Sequence, residues 1–277
     1  MTKGKFRPML FVVILCIHIM ALYAFWYGLN YGFGYSAWFW FIGLYTARAI
    51  GVSLGSHRLF THGTFKCHFT TQLVLVALAG LALEGPVAKW VINHRQHHRY
   101  TERFWDPHSP SKYPSFVGFF WAHMGWLFFE VLHPEKFVEK FGIQKSQIAK
   151  WDKFIFPLAA SSSFLLPWYF AGVPGLLLAG FIGVVFHWHI TWSVNSVCHI
   201  FGSANEKSRI SKETSKNNWL LSLVSFVGEA WHFNHHQKTD SAFLGWKWHN
   251  LDLGKWILIL GKPFGLFWNI KRPSPQV

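Results

Sequence analysis

The chain has 277 residues, of which 51% are hydrophobic and only 14% charged, with 26 Lys+Arg against 12 Asp+Glu and a net charge of +14. A charged share about half that of soluble domains excludes an ordinary globule, and no nucleic-acid-binding motif accompanies the basic balance. The 17 tryptophans and 29 phenylalanines fit the aromatic belts of a membrane protein instead, and a positive-inside bias accounts for the charge.

Lys3, Lys5 and Arg7 precede the first apolar run, and no small-residue cleavage site follows it, so it reads as a retained anchor rather than a signal peptide. About 20 apolar residues span the hydrocarbon core. By that measure there are four predicted spans, roughly 8–27, 36–55, 154–172 and 174–195, joined in hairpins by GLNYGFGY and AGVPG. Neither link carries Lys or Arg. Three basic residues precede the first span, 12 lie between Arg58 and Lys153, 10 follow Phe201, and Arg48 is the remaining one. This asymmetry puts both termini and the regions 56–153 and 196–277 in the cytoplasm. Arg48, costly inside the second span, is expected to snorkel to the interface, with His57 carried beyond the membrane surface. Segments 70–88 and 116–129, interrupted by Glu84, Gly85, Pro86 and His123, read as surface or half-buried helices, and 203–217 as a polar cytoplasmic loop. No repeat or linker divides the chain, so residues 1–277 form a single all-α integral membrane domain.

Cys16, Cys67 and Cys198 are widely spaced without a CxxC pair, supporting neither a disulfide framework nor a zinc site, and read as small apolar fillers. The 17 histidines are more informative. HRLFTH (57–62), HRQHH (94–98) and HFNHH (232–236) lie at or beyond the cytoplasmic ends of apolar segments. In HxxHH on a helix, positions i, i+3 and i+4 share a face, so His94, His97 and His98 can converge on one point, as can His232, His235 and His236. His57 and His62, five apart, suit the frayed end of a helix. On the last span Asn195 and His199 are four apart. Eight box histidines plus His199 are too many for one metal but suit two, with four or five nitrogens each, and imidazole suits iron, zinc, copper or nickel. Little thiolate or carboxylate is expected nearby. A lone membrane histidine such as His18 is given no role, and Arg95 and Arg99 are expected to point to solvent, acidic partners or lipid phosphates.

HRLFTH, HRQHHRY and WHFNHH, with NSVCHIFG (195–202) between the second and third, resemble the histidine boxes of membrane fatty acyl desaturases of the stearoyl type. DPHSP (106–110), HMGW (123–126) and SKNN…GEAWHFNHH (215–236) agree, and the similarity runs from about residue 36 to near 270. The resemblance implies four membrane helices, a cytoplasmic helical cap and a di-iron centre. Its ligands would be His57, His62, His94, His97, His98, His199, His232, His235 and His236, with Asn195 acting through water. It does not say which histidine serves which metal.

By the same resemblance, the reaction uses O2 and two electrons to introduce a cis double bond at the ninth carbon of a saturated acyl chain. Trp90 and Trp192 match the family's tunnel-bend tryptophans; the alternative is ordinary interfacial aromatics. Glu84 stands in EGP where relatives more often carry glutamine, and either pairs with His187 or faces solvent. The continuation QKTDSAFLGWKWHNLDLGKW lacks the aromatic–proline pattern frequent in relatives. No haem-binding or ferredoxin-like motif appears, so electrons are expected from a separate protein, a ferredoxin or a b-type cytochrome with its reductase. A basic cytoplasmic face would steer such an acidic donor, although positive-inside bias alone also explains it. The expected location is a bacterial inner membrane. The rival readings are a related histidine-box hydroxylase or ketolase and, further off, a non-enzymatic membrane metal carrier. The acyl carrier, coenzyme A, carrier protein or lipid, stays open.

Overall fold

A computed structural model describes residues 4–204 and 213–273. The molecule is mostly helical, and among the described residues extended pairing is limited to isolated bridges such as Phe6 with Phe129 and Lys66 with Trp268. Among the described residues, three helical runs are long and apolar enough to cross a membrane: Pro8–Tyr31, Tyr35–Thr61 and the 54-residue Gln147–Ile200.

Helix α1 (Pro8–Tyr31) starts with proline in its first turn, where no hydrogen bond is lost, and ends at Gly32, whose φ of 71° suits a residue without Cβ. Helix α2 (Tyr35–Ile50) continues without a break into a π-helical segment, Gly51–Thr61. Gly51 and Gly55 bring that segment against α3 (Phe69–Gly80). A Cβ at Gly51 would meet the backbone of Leu78 and Ala79 at 2.1–2.2 Å, so this small-xxx-small spacing is needed for the contact.

The third run comprises α7 (Gln147–Gly175), a second π-helical segment (Leu176–Ile182) and α8 (Gly183–Ile200). It folds back on itself at Gly172, which is non-helical at φ 62°, ψ −155°, with Pro174 just beyond. As a result the rings of Phe164 and Phe181 pack with centroids 5.1 Å apart, whereas a straight helix would hold them about 25 Å apart.

Arg48 does not snorkel. It is fully buried where α2, α3 and both limbs of the third run meet. Its Nε donates to the Leu81 carbonyl (3.1 Å) and its Nη2 to Ser163 Oγ (3.2 Å) and the Ala179 carbonyl (3.0 Å). Leu81 caps the end of α3 and Ala179 lies in a π-turn, so oxygens released from regular helical bonding solvate the guanidinium inside the protein.

Shorter helices gather where the first π-helical segment and α8 end: α4 (Val87–Tyr100), α5 (Ser115–His123), α6 (Phe137–Phe141), α9 (Trp219–Val224), α10 (His232–Gln237) and α11 (Leu253–Gly261). A core of Leu54, Phe65, Leu75, Phe243, Leu258 and Phe267 ties the C-terminal part to the first π-helical segment. Beside it Arg58 and Asp252, both buried, pair at 2.9 Å, and Asp252 also accepts the Leu244, Gly245 and Lys255 amides. The expected 203–217 loop lies partly outside the described residues; its ends pair through Ser203 and Asn217.

Candidate metal centre

The π-helical turn joins the first pair of histidines. Its i→i+5 bonding, with His62 N donating to His57 O at 3.2 Å, stacks residues five apart. The 57–62 spacing therefore marks a π-helix rather than a frayed end. Arg95 holds α4 against that end, donating to the carbonyls of Phe60 (2.8 Å), Thr61 (2.8 and 3.0 Å) and Phe141 (2.6 Å). It turns inward to helix-terminal oxygens, not outward as expected. Arg99 is exposed, with its guanidinium 5.2 Å from the Phe141 ring centre.

All nine box and span histidines come together, but not box by box. His57, His62, His94, His98 and His235 form one set, and His97, His199, His232 and His236 another; within each set the candidate ligand nitrogens lie within 4.8 Å of one another. Nε2–Nε2 distances are 3.0 Å for His57–His235, 2.8 Å for His235–His98, 3.0 Å for His98–His94, 3.3 Å for His97–His236 and 3.0 Å for His199–His232. The expected convergence of each HxxHH triplet on one point is thus corrected. Residues i and i+4 stay together in both boxes, while the middle histidine, His97 or His235, crosses to the other set.

Carboxylates, expected to be scarce, surround the cluster. His57 Nδ1 lies 2.7 Å from Glu229, His97 Nδ1 3.0 Å from Asp106, His199 Nδ1 3.0 Å from Glu102 and His236 Nδ1 2.8 Å from Glu213. Four of the chain's 12 acidic residues are used in this way. Each orients an imidazole and makes it more basic. Asp106 and Glu229 sit inside the quoted DPHSP and GEAWHFNHH motifs, which was the available signal; Glu102 and Glu213 had none. His108, also missed, packs on His97 with ring centres 4.2 Å apart.

The donor chemistry fits metal ions. With Nδ1–H directed at a carboxylate, His97 and His236 each leave a lone pair on Nε2, and these face one another at 3.3 Å. Two lone pairs make no hydrogen bond; a cation between them satisfies both. The cluster also favours the neutral ligand form. Burial first, then neighbouring imidazoles, push His62, His94, His98, His232, His235 and His236 well below the usual histidine range. At His97 burial is outweighed by Asp106 and the shift is upward. Glu102 is held low against its burial by its bond to His199.

A cavity of about 440 Å³ reaches the cluster at His94 and Asn195, and both Trp90 and Trp192 line it. Trp90 Nε1 donates to Glu84 at 3.0 Å, and His187 Nε2 lies 3.4 Å from the other Glu84 oxygen, so Glu84 is paired. A smaller cavity of about 50 Å³ continues beyond Trp90, Thr191 and Asn195 to Tyr45. Behind Trp192, His18 Nε2 meets His189 Nε2 at 3.2 Å, His189 Nδ1 meets His123 Nε2 at 2.9 Å, and His123 Nδ1 meets Ser196 Oγ at 2.9 Å. His18 bonds the Ile14 carbonyl through Nδ1 (2.7 Å). Since that oxygen only accepts, the Nδ1–H of His18 donates to it. His18 therefore has a role after all: it braces α1, α5 and α8 together.

Residues 44–260 match the fatty acid desaturase family. The chain is 33% identical to delta-9 acyl-lipid desaturase 1 of Arabidopsis thaliana over 235 residues, covering 83% of this chain and 74% of that one. It is 32% identical to icosanoyl-CoA 5-desaturase of Limnanthes douglasii (95% and 72%) and 33% identical to hex-5-enoyl-[acyl-carrier protein] acetylenase of Moorena producens (85% and 77%).

Proposed function

The chain belongs to the fatty acid desaturase family, oxidoreductases that act on fatty acyl chains, and from that membership we propose that it introduces a cis double bond at the ninth carbon of a saturated acyl chain, using a di-iron centre and O2. The observation that carries the reading is the division of nine histidines into sets of five and four, with opposed Nε2 lone pairs. In this reading His57, His62, His94, His98 and His235 hold one iron, His97, His199, His232 and His236 the other, and Asn195 acts through water. Bound iron with O2 supplies the oxidant that removes two hydrogens from an unactivated methylene pair, a strength no side chain has.

The chain's own residues position and exclude. Glu229, Asp106, Glu102 and Glu213 fix the imidazoles. Trp90, tied to Glu84, and Trp192 wall the cavity beside His94, so the acyl chain is registered by shape. One methylene of apolar contact is worth only ~1–3 kcal/mol, and a rigid bend discriminates better.

Membrane insertion accompanies this reading. Each limb of the Gln147–Ile200 run crosses once, giving four passes, with both termini and the histidine cluster in the cytoplasm and a bacterial inner membrane as the host bilayer. The two electrons come from a separate carrier, a ferredoxin or a b-type cytochrome with its reductase. Expression in a host that makes no such product, followed by lipid analysis, tests the reading: a new monounsaturated chain should appear, and should vanish with His97→Ala. A hydroxylated chain without an alkene would point to a hydroxylase, and unchanged lipids with an iron-loaded protein would reject the reading.

A further inference from the structure

The relatives' names place the acyl chain on three different carriers, a lipid, coenzyme A and a carrier protein. The cavity walls of this chain discriminate among them. Helix α1 rests on the 176–182 segment and on α8, while α7 packs on α2, α3 and that same segment. Between α1 and α7 lies the 440 Å³ cavity.

On the α1 side the lining is a single stripe, Leu10, Val13, Ile14 and Ile17, and on the α7 side it is Phe156 and Ala160. The α1 stripe runs for about 10 Å along a helix long enough to cross the bilayer. Val13 lines the cavity and is 42% exposed, and Met9, Val12 and Phe154, which neighbour the lining residues of α1 and α7 without lining the cavity themselves, are exposed as well. The cavity thus lies directly behind the exposed apolar faces of the two helices, and it reaches His94 and Asn195 at its inner end.

The rim carries charge. Backbone pairing fixes Arg7 there: Arg7 N donates to the Phe128 carbonyl at 2.8 Å, and Glu130 N to the Lys5 carbonyl at 2.9 Å. Lys89 is the second cation lining the cavity. Its ammonium is disfavoured by burial and by Arg7 and favoured by Glu130, so the three groups sense one another. Glu84 is taken up deeper in the cavity by Trp90 and His187. At the rim two cations therefore stand against the one carboxylate of Glu130, a balance that matches the single charge of a phosphodiester and suits poorly the several charges of coenzyme A.

We propose that the acyl chain enters sideways from the bilayer, between α1 and α7, while still esterified in a glycerophospholipid whose phosphodiester rests against Arg7 and Lys89. This rests on the desaturase reading. The lipid keeps its place in the leaflet, and only one tail turns in past Val13 toward the histidine cluster.

The test uses the full iron-loaded chain with its reducing system in two kinds of vesicle. One is made of distearoyl phosphatidylglycerol mixed with dioleoyl phosphatidylcholine. The other is made of dioleoyl lipids only, with stearoyl-CoA or a stearoyl carrier protein added. Alkene should form in the phosphatidylglycerol tails, about tenfold or more faster than in either thioester. Faster conversion of a thioester overturns the inference and leaves the desaturase reading intact; no alkene from any donor overturns both. Val13→Trp should cut lipid turnover about tenfold with iron content unchanged, whereas Leu29→Trp, at the far end of α1, should not. Arg7→Gln with Lys89→Gln should raise KM for the lipid more than it lowers kcat. Unchanged lipid turnover in Val13→Trp overturns the entry route.

Discussion

His97 and His98 are consecutive in the chain, yet their Nε2 atoms belong to different nitrogen clusters: His97 faces His236 at 3.3 Å and His98 faces His235 at 2.8 Å. Each cluster should hold one ion. Iron analysis of purified protein should therefore give about two ions per chain for the wild type and about one for both His97→Ala and His98→Ala, each with desaturation abolished. Two ions retained in either variant would contradict the partition.

The carboxylates behind the imidazoles should be nearly as important as the ligands. Asp106→Asn keeps the shape but weakens the hold on His97 Nδ1. It should lower metal affinity or activity by about 10–100-fold, measured by competition with a chelator and by turnover. Loss should be smaller for His108→Gln, which changes a ring packed on His97 rather than its hydrogen bond.

Asp252 is wholly buried against Arg58 and accepts three backbone amides as well. Removing one member of such a pair leaves an uncompensated buried charge, so Asp252→Ala should cost about 3–5 kcal/mol of stability. Thermal unfolding in detergent measures it, and retention of the wild-type midpoint would refute the pair's structural weight.

Glu84 accepts from the Trp90 indole, and glutamine can do the same. Glu84→Gln should stay within about threefold of wild-type activity. Glu84→Leu orphans the indole N–H, at about 1–3 kcal/mol, and frees the ring. Its double bonds should spread to neighbouring carbons, read by mass spectrometry of derivatised products.

Burial, then the neighbouring His189, hold His123 down at about 4. The unfolded chain takes up that proton near the ordinary histidine value of about 6.5. Between these values the unfolded state binds more protons, so the contribution of His123 to stability is full above about 6.5 and is lost as pH falls toward about 4. His123→Gln should flatten the acid limb of a midpoint-versus-pH curve, and an unchanged slope would contradict the assignment.

The histidines that cluster were legible because their spacing is local: HxxHH declares itself on any helix, and so do apolar runs. Their grouping was not, because whether i+3 joins i and i+4 depends on how α4 and α10 cross. The π-helical turn hid behind a spacing of five that resembles fraying. The carboxylates are remote or unmarked: Glu229 lies 172 residues from His57 and Glu102 lies 97 from His199, although each had been visible as an ordinary acidic residue. Arg48 and Arg95 were misplaced for a common reason. A charge in an apolar run suggests water as its only refuge, but a helix end or a π-turn supplies carbonyl oxygens that serve as well.

Arg48 also imposes an order of assembly. Two of its acceptors, Ser163 and Ala179, lie 115 and 131 residues downstream. At ribosomal rates those residues emerge roughly 6–26 s after Arg48. During that interval the second helix carries a cation that lacks two of its three acceptors, and a charge at a helix centre is worth about 2.5–3.5 kcal/mol against insertion. Lodging that helix is thus a late step in biogenesis, completed when the Gln147–Ile200 hairpin arrives, and a nascent chain truncated before Ser163 should leave it accessible to water-soluble reagents.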